Sequence, residues 1–153
     1  MNYILRKSYP FEAAHWLPLV DQESHKCAKM HGHSYGLIFE LSSPTLIDGM
    51  VCDFANISLV VKSVITNVLD HKVLNDITGL ENPTAENLAL WCADVFCHEF
   101  RMNFYRPNHP YHKERKDQFL KLNAVEVQET PTSFCRLELD RHLSEFIWRT
   151  IHH

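Results

Sequence analysis

Residues 31–41 read His31-Gly32-His33-Ser34-Tyr35-Gly36-Leu37-Ile38-Phe39-Glu40-Leu41, and the alternation within them decides the fold. Tyr35, Leu37, Phe39 and Leu41 fall on one side of an extended chain, with Ser34, Gly36, Ile38 and Glu40 on the other, because successive strand side chains point to opposite faces. The same period carries His31 and His33 onto the Tyr35 face, where two imidazoles at i, i+2 can grip one metal. Upstream, Tyr3 to His15 reads as a second strand in which Phe11, Ala13 and His15 share a face. Pro10 predicts an interruption there, at an edge or a bulge. A catalytic zinc takes three protein ligands and leaves a fourth position for water or substrate, a quota that His15, His31 and His33 fill. Cys27 either closes that site as a fourth ligand or stands beside it as a base or nucleophile.

At 153 residues the chain fits one domain with a real core. Its 45% hydrophobic and 22% charged content reads as soluble and globular rather than disordered. A formal net charge of -4 gives no basic character, so a nucleic-acid partner is not expected. Neither a transmembrane-length apolar run nor a cleavable leader pattern is present, so no membrane partner and a cytoplasmic location are expected. Five cysteines without disulfide-like spacing suit a reducing compartment.

Further along, Asp53 caps a helix carrying Ile57, Val60, Val61, Val64, Ile65 and Val68 that stops near Asp70. Asn82-Pro83 and a Thr84 cap open a second helix, with Glu86 in its first turn, that buries Leu88, Trp91, Cys92, Val95 and Phe96. Ala124 to Thr130 and Phe134 to Leu139 read as a hairpin around Pro131, Thr132 and Ser133. Strand, strand, helix, helix, strand, strand is an α+β pattern: an antiparallel four-stranded sheet with two helices on one face. Arg101 to Leu122, rich in Arg, Lys, His, Asn and Pro, reads as the frayed end of the second helix and a solvated surface insertion. Leu143, Phe146, Ile147 and Ile151 predict a helical extension over 140–153, ending in an exposed His152-His153 tail that has no metal-site pattern. The domain itself spans 1–139.

A set of short motifs runs through the chain in order: Phe11-Glu12-Ala13-Ala14-His15; His25-Lys26-Cys27 followed by His31-Gly32-His33-Ser34; Asp53-Phe54; Leu69-Asp70-His71; Leu74-Asn75-Asp76-Ile77; Gly79-Leu80-Glu81-Asn82-Pro83-Thr84; and Glu129-Thr130. On these motifs the chain resembles the 6-pyruvoyltetrahydropterin synthase family, and within it the bacterial 6-carboxytetrahydropterin synthase branch of queuosine biosynthesis. The three-residue gap between Cys27 and His31 suits the carboxy branch. The resemblance implies the tunnelling fold (T-fold), whose subunits join their sheets into an oligomeric barrel and stack two trimers into a homohexamer. It also implies a zinc-dependent lyase that converts 7,8-dihydroneopterin triphosphate to 6-carboxy-5,6,7,8-tetrahydropterin, acetaldehyde and triphosphate. The insertion at 101–122 and the extension after Asp140 depart from the compact members.

Each matched residue has a chemical reason to be there. Zinc on His15, His31 and His33 would bind the side-chain oxygens of a dihydropterin as a Lewis acid. Cys27, four positions before His31, lies close enough to a metal for its thiol pKa to fall and for the thiolate to act as base, whereas an isolated cysteine is ordinarily structural. Asp70 and His71 sit where the first helix ends, which favours a protonated imidazole and so a proton donor, a helix cap being the plainer role. The resemblance gives this Asp-His pair work with the cysteine across a subunit boundary. Glu129 shares a strand face with Val125 and Val127, so its carboxylate needs a partner. The resemblance supplies the guanidine-like edge of the pterin, held by paired hydrogen bonds, with Thr130 beside it; a cross-strand ion pair is the other reading. Lys26, with Lys29, is either solvated or meets the triphosphate as a point charge. His25 has no role assigned. Two other functions stay open: a 6-pyruvoyltetrahydropterin synthase that keeps the side-chain carbons, and a non-catalytic zinc-stabilised oligomer with Cys27 as fourth ligand.

Overall fold

The computed structural model describes residues 1–104 and 120–139. β1 (Tyr3–His15) and β2 (His31–Ser43) pair antiparallel along their whole length, from Tyr3 opposite Ser43 to His15 opposite His31. β1 is not interrupted at Pro10. Glu12 donates its N–H to Asp70 Oδ1 and accepts from the His71 N–H, so its backbone groups point away from β2. By the two-residue period Pro10 points the same way, to a flank of β1 that, among the described residues, is paired only at Ala13 and Ala14. The missing N–H therefore faces an open edge and no bulge is needed.

The sheet has five strands rather than four, in the order β3-β1-β2-β4-β5. The addition is β3 (Lys72–Val73), which runs parallel to β1 and is too short to leave an alternation in the sequence. β4 (Lys121–Thr130) and β5 (Ser133–Glu138) form the expected hairpin. β4 begins earlier than its hydrophobic pattern suggests, because the register shifts opposite Glu40 and Leu41 and leaves Asn123 outside the pairing. Asn123 instead accepts the Ser42 hydroxyl at 2.8 Å through its side chain and the Leu139 N–H at 2.7 Å through its carbonyl. The stretch 101–122 opens on the end of the second helix as expected, since that helix (Ala85–Phe104) runs to Phe104, but it is shortened at its other end, where Lys121 and Leu122 are in β4. Residues 105–119 of that insertion, the extension over 140–153 and the His152-His153 tail lie outside the described residues.

Asp53 caps the first helix, accepting the Ala55 N–H at 2.8 Å. The helix is α over Phe54–Val60, widens to π over Val61–Thr66 and closes with Asn67–Leu69. Ile57, Val60, Val61, Ile65 and Leu69 are fully buried, whereas Val68, expected inside, is exposed; a π turn takes more residues per rotation and shifts the buried stripe. Thr84 caps the second helix by accepting the Asn87 N–H at 3.2 Å, and Leu88, Cys92 and Phe96 turn inward while Trp91 and Val95 flank the core. Both helices cover the Tyr9 and Phe39 face of the sheet. The Tyr9 hydroxyl meets Ser58 at 3.1 Å, and the Phe39 and Phe96 rings stack at 4.8 Å. Removing a side chain as enclosed as Phe39 costs about 3–5 kcal/mol.

On the opposite face, charges cross four strands. Glu40 receives Arg136 Nη2 at 2.9 Å and Arg6 Nε at 3.5 Å, and Arg6 also reaches Glu126 at 3.6 Å. No helix among the described residues is long and apolar enough to cross a membrane.

Candidate active site

His15 closes β1 and His31 opens β2 directly across from it, while His33 pairs with Ala13 one step further in. The sheet register therefore gathers the three imidazoles at one end of the core. Their ring centroids lie 4.6 Å (His15 and His31), 4.9 Å (His31 and His33) and 5.3 Å (His15 and His33) apart. One ligand nitrogen from each lies within 4.8 Å of the others.

Hydrogen bonds fix two of the tautomers. His15 Nδ1 lies 2.9 Å from the Pro83 carbonyl and His31 Nδ1 lies 2.7 Å from the Lys29 carbonyl. A carbonyl oxygen only accepts, so both Nδ1 atoms carry a proton, and in the neutral rings that bind a metal both Nε2 atoms offer a lone pair. Those two Nε2 atoms face one another at 3.1 Å. Glu129 Oε1 adds an anionic oxygen 3.4 Å from His15 Nε2 and 3.8 Å from His33 Nε2. Lone pairs this close repel unless a cation lies among them, and neutral nitrogen donors beside a carboxylate suit zinc and its divalent neighbours. Burial holds the His15 imidazole below the usual histidine range, with the Pro83 carbonyl pulling the other way, and burial lowers His33 against the pull of Glu129. Both are thereby kept in the neutral form that binds a metal.

Cys27 sits on a 3-10 turn, Lys26–Ala28, that leads into β2. The turn is fastened at both ends: His25 Nδ1 accepts the Cys27 N–H at 3.1 Å, and the Cys27 carbonyl accepts the Leu17 N–H at 2.8 Å just beyond β1. His25, without a role in the sequence reading, is thus the cap that holds Cys27 in place. The Cys27 thiol is half-buried and is not part of the three-histidine cluster. Lys26 is exposed on the same turn.

Asp70 and His71 form a pair at the outer edge of β1. Asp70 accepts the Glu12 N–H at 2.9 Å and the His71 Nδ1–H at 3.0 Å, and these two donors, the backbone one foremost, keep its carboxyl below the ordinary range. His71 has a left-handed backbone (φ 55°) and an exposed ring. It lines a groove of about 470 Å3 with Glu12, His33 and Ser34. The pair's side-chain hydrogen bonds run to Glu12 and to each other, and none goes to Cys27.

Glu129 falls where the β4–β5 register shifts, and the two-residue period of β4 keeps its carboxylate on the Val125 and Val127 face, beside the histidines. It also lines a second groove, of about 280 Å3, with Leu17, Thr84, Glu86 and Phe134. Thr130, expected beside the substrate, has its hydroxyl oxygen engaged by the Thr132 N–H at 3.3 Å. Sequence reasoning missed Pro83, whose role lies in its backbone carbonyl, and Tyr35. The Tyr35 ring stacks on Phe11 at 4.8 Å and meets His15 and His33 edge-on at 6.0 and 5.5 Å. Its hydroxyl is buried without a hydrogen-bond partner among the described residues. Burial, then the charges of Glu129 and Cys27, push that phenol well up, so it stays protonated. The alternation placed Tyr35 on this face, but a missing partner leaves no mark in a sequence.

The profile of the family described as 6-pyruvoyl tetrahydropterin synthase matches residues 4–140. The 6-carboxy-5,6,7,8-tetrahydropterin synthase of Synechocystis sp. is 39% identical over 139 residues, covering 88% of this chain and 92% of its own. That of Haemophilus influenzae is 31% identical over 140 residues, covering 88% and 97%. Among solved structures, the 6-pyruvoyl tetrahydropterin synthase of Caenorhabditis elegans superposes with a TM-score of 0.65 over 90% of this chain and 96% of that one, at 24% identity, which shows a shared fold.

Proposed function

Because the chain belongs to the 6-pyruvoyl tetrahydropterin synthase family, we propose that it is a zinc-dependent lyase of queuosine biosynthesis. It would convert 7,8-dihydroneopterin triphosphate to 6-carboxy-5,6,7,8-tetrahydropterin with release of acetaldehyde and triphosphate. The observation that carries this reading is the convergence of the His15 and His31 lone pairs on one point, with His33 in the same cluster. Synthases named for the carboxy product that match over most of the chain favour that product over the pyruvoyl one.

His15, His31 and His33 would hold the metal, which supplies Lewis acidity that loosens C–H protons next to the substrate's side-chain oxygens. Cys27 is the base that takes such a proton, on a turn held still by His25 and Leu17. His71, steadied by Asp70, hands a proton back. Glu129 pairs with the guanidine-like edge of the pterin through two parallel hydrogen bonds, a geometry that selects the heterocycle. Thr130 adjoins it, and Lys26 meets the triphosphate as a point charge. The exposed Asp70-His71 pair and the separate placement of Cys27 support a site shared between subunits of a homohexamer. The open flank of β1 and the outer edge of β5 support joined sheets in such an assembly.

Incubation with 7,8-dihydroneopterin triphosphate and mass analysis decides the reaction. Acetaldehyde with a 6-carboxy pterin is the expected outcome, and a pterin that keeps the three-carbon side chain would make the protein the pyruvoyl enzyme. A zinc-loaded protein that leaves the substrate untouched would favour the structural role.

A further inference from the structure

Asn75 belongs to none of the ligand or catalytic sets above, yet its side chain joins the two segments that fix His15. Its Oδ1 accepts the Trp16 N–H at 3.0 Å, and its Nδ2 donates to the Trp16 carbonyl at 2.9 Å. A backbone N–H only donates and a carbonyl only accepts, so this pair sets the amide's orientation. The same Nδ2 lies 3.4 Å from the Glu81 carbonyl. Trp16 directly follows His15, and Glu81 stands two residues before Pro83, the acceptor for His15 Nδ1–H. One amide thus holds the backbone just after the donor and just before the acceptor of the same hydrogen bond.

The surroundings make this grip firm. Asn75 sits on the short turn Leu74–Asp76, anchored by the fully buried Leu74. The loop from 77 to 84 is pinned by the fully buried Leu80, whose N–H donates to the Ile77 carbonyl at 2.9 Å. From the second helix Asn87 donates to the Asn82 carbonyl at 2.8 Å. With the Trp16 and Glu81 contacts gone, the Pro83 carbonyl could drift from His15, and a freed imidazole can turn over or move its proton to Nε2.

We propose that Asn75 is a positioning residue of the metal centre: by tying Trp16 to the loop at 81–83 it keeps His15 in the tautomer and orientation that present Nε2 to the cation. This rests on His15, His31 and His33 being the metal ligands. Outer partners that orient a ligand histidine typically change metal affinity by about 10–100-fold when removed.

The test compares the full chain with Asn75→Ala, Asn75→Ser and a control, Asn123→Ala, which loses a hydrogen bond to Ser42 at the far end of β2. Zinc affinity is read by competition with a chromogenic chelator, the ligand field by visible absorption after cobalt substitution, and stability by melting of the metal-free protein. Asn75→Ala should weaken zinc by about 10–100-fold and alter the cobalt bands, while Asn123→Ala lowers the melting point and leaves both metal readings alone. Unchanged zinc affinity and cobalt bands in a folded Asn75→Ala overturn the proposal. If the Ala variant does not fold without metal, Asn75→Ser, which keeps a hydroxyl near Trp16, carries the same comparison. A wild-type protein that takes neither zinc nor cobalt overturns the metal reading itself, an outcome distinct from the one that removes Asn75 alone.

Discussion

The Nε2 atoms of His15 and His31 stand 3.1 Å apart, while the Nδ1–H of each is committed to a backbone carbonyl. Two acceptors in that relation cost energy in the metal-free protein, so a cation entering between them relieves repulsion as well as gaining ligands. Zinc at about a hundred times its Kd should stabilise the native state by about 2.7 kcal/mol. His31→Ala should abolish that gain and nearly all turnover, whereas His98→Ala, on the second helix, should keep both. Zinc-dependent melting that survives in His31→Ala would move the ligand set elsewhere.

Cys27 differs from the other four cysteines in its setting. Cys52 and Cys92 are buried, Cys97 lies in the second helix, and Cys135 sits on β5 with its thiol pushed up by burial and by Glu86. Cys27→Ala should keep its zinc and lose turnover by at least about 10²-fold, the usual loss for a general base. Alanine at the other four should change stability more than rate. If Cys27→Ala instead releases the metal in a dialysis measurement, the thiol was a fourth ligand and the site was closed.

Acid sensitivity should originate on the face of the sheet opposite the helices. The hydrogen bond from Arg136 holds the Glu40 carboxyl below its ordinary value of 4.5 despite burial. A carboxylate depressed in the folded state contributes stability that is complete above its unfolded pKa and disappears as the pH falls through its folded one. The melting temperature should therefore fall as the pH drops below about 4.5, and Glu40→Gln should flatten that slope while costing about 1–2 kcal/mol at pH 7. A Glu40→Gln curve parallel to wild type would place the acid response in other carboxylates, Asp70 among them.

Periodicity explains which parts of this molecule could be read from the chain. The alternation of residues 31–41 placed His31, His33 and Tyr35 on one face, and the strand to His15 completed the cluster. What escaped is what has no side-chain period. A two-residue β3 is shorter than any repeat, the early start of β4 is hidden by the unpaired Asn123, and the partner of His15 is a carbonyl that every residue carries. Pro10 left an edge and a bulge both open, and the sparsely paired flank of an unbroken β1 decides for the edge and against an interruption.

Tyr35→Phe removes a buried hydroxyl that has no hydrogen-bond partner among the described residues. Such a group costs about 1–3 kcal/mol relative to a satisfied one, so the variant should be as stable as wild type or up to about 1 kcal/mol more stable in the metal-free state. Denaturant unfolding of the two proteins measures this directly. A loss of stability would mean that the hydroxyl finds a partner in solution, with the half-buried Cys27 thiol the first to examine.

Asp70 and His71 provide the sharpest test of a shared site, because their side-chain hydrogen bonds run to Glu12 and to each other and they face solvent at the edge of β1. His71 sits at φ 55°, a conformation asparagine tolerates far better than alanine does, so His71→Asn removes the imidazole with least strain. Cys27→Ala and His71→Asn should each be nearly inactive alone. Co-expressed in equal amounts within one oligomer, they should recover about a quarter of wild-type activity if Cys27 of one subunit works with His71 of its neighbour, since random mixing leaves that fraction of sites intact. A site built within a single chain predicts no recovery, because every chain then carries one broken residue. Activity of the co-expressed mixture against the separately purified variants distinguishes the two arrangements, and silence in the mixture would return the proton donor to the chain that holds the cysteine.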